Sequence, residues 1–119
     1  MKNKILQLLD DNNEIYLLDL FKMMPEIKGE FAMYMPIKEG YNPNILWADH
    51  VSKEFIEVFN ELVVFEKKAD IRPIDFWILL VDGKPIYSHI PLICKRKLKG
   101  KSTCWMPISL IKGENFSCT

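Results

Sequence analysis

Phe76–Ile90 reads FWILLVDGKPIYSHI. Six consecutive apolar residues run into Asp82-Gly83, and a second strand-like run follows. Asp-Gly between two such runs is a strong short-range hairpin signal, because both residues of the favoured turn must accept positive φ. The spacing makes Val81 and Lys84 the hydrogen-bonded pair beside the turn. Leu80 then faces Pro85 in a pair that exchanges no ladder bonds, so the proline is tolerated where its strand is an edge. The same register sets His89 opposite Phe76.

Upstream of this ribbon lies an amphipathic helix from Ser52 to about Val64. Ser52 is the expected N-cap. Phe55, Ile56, Phe59, Leu62 and Val63 form one apolar stripe, and Lys53, Glu54, Glu57, Asn60 and Glu61 occupy the other side. The expected fold rests on the stripe lying against the Asp82-Gly83 ribbon to build one interior.

Nearer the N-terminus, Lys2 to Leu9 carries Ile5, Leu6, Leu8 and Leu9 at helical spacing, and Asp10 to Asn13 makes a turn. Ile15 to Met24 reads either as a helix stopped by Pro25 or as a segment that opens as a strand. Gly29 to Met35 reads as extended, and Pro36 and Gly40 punctuate a loop through Pro43. Asn44 can cap a short helix, Ile45 to Ala48, with Asp49-His50-Val51 as the following turn. Pro73 makes Ile71 to Ile74 an edge strand or a loop. Thr103 to Ile111 is the last strand candidate, and Gly113 onward reads as a frayed tail.

The chain has 119 residues, of which 49% are hydrophobic, enough for a core without metal or disulfide support. The expected organisation is one domain over residues 1–113 and a flexible tail over 114–119. The net charge is zero, but residues 1–94 hold fifteen Asp/Glu against ten Lys/Arg, and residues 95–119 hold six Lys/Arg against one Glu. Cys94, Cys104 and Cys118 are an odd set with no Cys-x-x-Cys, which argues against a disulfide framework and a zinc knuckle. That usage suggests a reducing, cytoplasmic setting. The N-terminal apolar run is too short for a signal-peptide core, and no stretch has the length of a membrane span.

The short helix before Asp49-His50-Val51, the helix after it and the hairpin together resemble a winged-helix domain, a helix-turn-helix with a wing. In that resemblance Asn44 to Ala48 is the supporting helix, Ser52 to Val64 the recognition helix, and the strands about Asp82-Gly83 the wing. Lys2 to Leu9 or Leu17 to Met24 is the first helix, and the first strand lies within Ile15–Met35. The resemblance covers the layout of residues 3 to 93 and implies DNA binding. Against that, the recognition helix would display Glu54, Glu57 and Glu61 toward phosphates.

The strongest electrostatic feature is Lys95-Arg96-Lys97-Leu98-Lys99-Gly100-Lys101, five cations in seven residues. Lys95, Arg96, Lys97, Lys99 and Lys101 are the candidate nucleic-acid contacts, and Trp105 is near enough in sequence to stack on a base. Core packing is the competing role for Trp105. Cys94 beside two cations has no base or orienting group in a motif, and Cys94, Cys104 and His89 lack a recognised metal spacing. There is no Gly-rich phosphate loop, so no cofactor is expected. Met23, Met24, Met33 and Met35 with Phe31 and Tyr34 suit a core or an adaptable interface.

The expected fold class is α+β, with N-terminal helices and a C-terminal antiparallel hairpin or three-stranded sheet, winged-helix-like. The expected function is a non-enzymatic regulatory or adaptor protein of the kind phage and mobile elements carry, contacting nucleic acid or a protein bound to it. The alternative is a protein-interaction module or homodimer that binds no nucleic acid. No membrane partner is expected.

Overall fold

The structure, a computed structural model, describes residues 1–35, 44–88, 90 and 103–117. Helix α1 (Lys2–Asn12) is followed by strand β1 (Glu14–Tyr16), helix α2 (Leu17–Met23) and a 3₁₀ turn at Pro25–Ile27. Strands β2 (Lys28–Tyr34) and β3 (Ile45–Val51) precede helix α3 (Lys53–Asn60), which runs on into a π-helical turn at Glu61–Phe65. Strand β4 (Ala69–Pro73), helix α4 (Phe76–Val81) and strands β5 (Cys104–Trp105) and β6 (Ile108–Lys112) follow among the described residues. This is an α+β protein, with two three-stranded sheets among the described residues, ordered β1-β6-β4 and β2-β3-β5.

Several elements follow from local chemistry. Asn13 ends α1 at φ 63, a left-handed conformation that asparagine accepts. Ile15–Met24 resolves as both readings at once, with Tyr16 at φ −60, ψ 130 closing the strand and opening α2. The Ser52 hydroxyl accepts the Phe55 N–H at 3.1 Å and starts α3 as the cap chemistry predicts. Pro73 lies on β4, an edge strand, where its missing donor costs no ladder bond.

Several expectations are corrected. The helix expected at Ile45–Ala48 is the first half of β3, the central strand of its sheet, and all four residues are buried. A strand covered on both faces loses its alternation and shows no period-2 signal. The hairpin at Asp82-Gly83 is a helix terminus. Asp82 has φ −84 and Gly83 φ 65, where the favoured two-residue turn needs both positive. The Gly83 N–H reaches the Leu80 carbonyl at 3.2 Å, and the Lys84 N–H reaches the Leu79 carbonyl at 2.8 Å. That is a Schellman motif, which uses a left-handed glycine just as a hairpin does.

The single C-terminal strand expected from Thr103 to Ile111 is split at Met106-Pro107. β5 pairs parallel with β3, and β6 pairs antiparallel with β1 and β4. The sheets therefore draw strands from the whole chain instead of its C-terminal half. At the start of the segment expected to fray, Gly113 and Asn115 donate backbone N–H groups to the Lys68 and Lys67 carbonyls at 3.0 Å each.

The main core gathers Ile5 and Leu9 of α1, Leu17 and Leu20 of α2, the β3 residues and Phe55, Phe59 and Leu62. A second, smaller cluster holds Tyr16, Leu18, Leu79 and Trp105, with Phe76 and Tyr87 at its margin. The α3 stripe thus enters the main core, while the 76–87 segment builds the second cluster. The single interior expected from α3 against the Asp82-Gly83 ribbon does not form. The segments expected to supply the supporting helix and the first strand of the wing are thus a strand at 45–48 and a helix at 76–81.

Candidate functional site

Helix α4 consists of six apolar residues, and only Leu79 is fully buried. Trp77 is 73% exposed and Val81 69%, with Leu80 and Ile78 near half. At 100° per residue, Leu80, Trp77, Val81 and Ile78 form one contiguous arc of roughly 160° opposite Leu79. A surface helix ordinarily places polar residues on that arc. Asp75 and Asp82 stand at its two ends, so the face is apolar with an acidic residue at each pole.

After Gly83 the chain runs as a strap across α2 and β3. The Lys84 ammonium meets the Asp19 carboxylate at 2.8 Å. The Tyr16 hydroxyl donates to the Pro85 carbonyl at 2.6 Å. The Tyr87 hydroxyl accepts the Asp49 N–H at 2.8 Å and donates to the Asp49 carbonyl at 3.0 Å. Burial pushes the Tyr16 phenol well above its ordinary value, with the nearby Asp19 charge adding to it. Burial raises Tyr87 too, against the bond from the Asp49 backbone, which lowers it. Tyr87 packs edge-on against Trp105 at 5.1 Å between ring centroids.

Beneath the strap opens a groove of about 510 Å³. Leu18, Phe21 and Lys22 of α2 form one wall, with Lys28 and Gly29 of β2 beside them. Asp49 and His50 form the opposite wall, and Pro85, Ile86 and Tyr87 of the strap close one side. His50 sits at φ 56, at an irregular point of the β2–β3 register. Bulged strands re-aim side chains in this way, and here the imidazole stands 74% exposed at the groove edge. The Asp49 carboxylate accepts the His50 backbone N–H at 2.9 Å.

Lys95, Arg96, Lys97, Lys99 and Lys101 lie outside the described residues, as do His89, Cys94, Cys118 and the loop at 36–43. Trp105 is 1% exposed in the second cluster, and its indole N–H meets no acceptor among the described residues. The structure therefore gives it the packing role. Cys104 is buried in β5. Among the described residues no cluster of three or more His, Cys, Asp or Glu could hold a metal ion. Among the same residues no helix is long and apolar enough to cross a membrane. Of the Met/aromatic group, Met24, Met33 and Met35 are buried, while Met23, Phe31 and Tyr34 are exposed.

Neither the α4 face nor the groove was legible in the sequence. A helical projection of Phe76–Val81 would have shown the arc, but the Asp-Gly signal pointed to strands. The groove joins residues from three distant segments. No protein-family model matches the chain, and neither a curated protein nor a solved structure matches it.

Proposed function

We propose that this chain is a non-enzymatic protein-interaction module that self-associates through the exposed face of α4. The observation that carries the reading is Trp77, 73% exposed on a helix without a polar residue. Large aromatic side chains at the centre of an apolar patch are the usual anchors of protein interfaces. A two-fold pairing would lay the arc of Leu80, Trp77, Val81 and Ile78 on its own copy. It would also bring Asp75 of one copy toward Asp82 of the other. The acidic residues Glu54 and Glu57 on the exposed side of α3 support a protein partner over a nucleic acid.

The test uses the intrinsic tryptophans. Trp47 and Trp105 are 3% and 1% exposed, so acrylamide quenching reports on Trp77. Raising the protein from about 1 to 100 µM should shield Trp77 while sedimentation velocity shows a dimer. Trp77→Ser should remain a monomer with folding stability within about 0.5 kcal/mol of the parent. A monomer at every concentration, with Trp77 fully quenchable, overturns the reading.

Nucleic-acid contact through Lys95, Arg96, Lys97, Lys99 and Lys101 is a second reading, favoured by the density of cations in that run. It is the remaining ground for a winged-helix role, which would leave α3 as the groove-facing helix. Salt separates the two. Duplex binding weakens steeply as salt rises, whereas the α4 dimer strengthens as the paired aspartates are screened.

A further inference from the structure

We propose that the groove under the strap binds a small amphipathic carboxylate, with its apolar body on Phe21, Ile86 and Tyr87 and its anionic head at Lys22 and Lys28. This site is separate from the α4 face and does not depend on self-association. Three observations carry it. The groove volume of about 510 Å³ lies within the range of small-molecule sites. Its surface is mainly apolar, but two lysines line it, and among the described residues neither Lys22 nor Lys28 is in an ion pair. Several other lysines do find carboxylates, although among the described residues Lys53 does not: Lys2 meets Glu61 and Glu66, Lys4 meets Glu26, and Lys84 meets Asp19.

The third observation is His50. A non-glycine residue at φ 56 is uncommon, and such backbone persists where the surrounding structure holds it. Here it sets the imidazole at the groove edge and ties the Asp49 carboxylate to the His50 N–H. Among the described lining residues Asp49 is the one acid, and its carboxylate also stands 3.6 Å from the His50 imidazole, so the two lysines outnumber it. A fatty acid of medium chain length has the matching chemistry: an apolar tail for the aromatic walls and one carboxylate for the lysines. A bidentate head is not needed, because lysine acts as a point charge.

The probe is decanoate, with decan-1-ol as its neutral counterpart, titrated into the full chain and followed by backbone amide NMR shifts. Shifts should concentrate at Gly29, His50 and Tyr87, and decan-1-ol should bind at least about tenfold more weakly. Lys22→Gln combined with Lys28→Gln should cost decanoate about tenfold or more and leave decan-1-ol unchanged. Trp77→Ser should leave decanoate binding intact, which separates this site from the α4 face. The proposal is overturned if decanol binds as tightly as decanoate, if the double lysine variant binds decanoate like the parent, or if the shifts fall on residues 76–81 instead.

Discussion

Helices α3 and α4 both carry large apolar side chains, and these have opposite fates. α3 buries Phe55 and Phe59 completely in the main core and turns Lys53, Glu54 and Glu57 to solvent. α4 buries Leu79 and turns Trp77, Ile78, Leu80 and Val81 to solvent. The difference is what each helix can reach. α3 closes over a core shared by α1, α2 and strands β1, β2, β3, β4 and β6, whereas α4 packs Leu79 into a small cluster with Tyr16, Leu18 and Trp105. That outward apolar face carries a cost in hydration, and it is the face that the proposed self-association would cover.

The largest test of this contrast is truncation inside each cluster. Phe59→Ala should cost about 3–5 kcal/mol in urea unfolding. Leu79→Ala should sit at the lower end of the Leu→Ala range, about 2–3 kcal/mol, because its small cluster at the surface collapses more easily than the main core. Its main effect should be lost hydrogen-exchange protection over residues 76–87 with α3 still protected. Equal losses in one shared transition would mean that both helices belong to a single cooperative core.

Alkaline pH should loosen the α4 side selectively. Tyr16 and Tyr87 are both raised by burial, so folding holds their protons while the unfolded chain releases them near pH 10.0. Below that pH their contribution is fully present. As pH rises past it the unfolded state binds fewer protons than the folded one, and stability falls. Tyr16→Phe with Tyr87→Phe should flatten the stability profile above about pH 10, at the expense of the strap's bonds to Pro85 and Asp49. A profile unchanged by the pair would place the alkaline transition elsewhere in the molecule.

The smallest effects concern how each helix is ended. Ser52→Ala should lower stability by about 1 kcal/mol through the lost bond to Phe55 N–H. Gly83→Ala meets open space, so its cost is backbone alone, about 1–2 kcal/mol for a left-handed alanine. Because Gly83 lies outside the main core, most of that cost should appear as fraying of α4 in amide exchange, with a global midpoint shift smaller than that of Ser52→Ala. A larger global shift for Gly83→Ala would show that α4 supports the whole fold.

Legibility followed the range of the interactions. α1, α3 and the extended run after Gly29 were readable, because periodicity and cap residues act within a few positions. Ile45–Ala48 was not, since Asn44 offered a plausible cap and a doubly buried strand has no alternation to contradict it. Phe76–Val81 failed for a related reason: a short, wholly apolar run fits a buried strand and a helix alike. The groove was beyond reach, because Lys22, Lys28, His50 and Tyr87 converge only once two sheets and the strap are in place.

By itself the sequence determined that Ser52 opens an amphipathic helix and that Gly83 takes positive φ, since both depend on bonds and sterics inside one short segment. Only the tertiary structure decided whether Gly83 turned a hairpin or ended a helix. That choice depends on where Leu79 finds its pocket, between Tyr16, Leu18 and Trp105. The pairing of Glu14–Tyr16 with Ser109–Ile111 was likewise settled in three dimensions. Strand partners far apart in sequence are selected by burial and ladder bonds that no local pattern encodes.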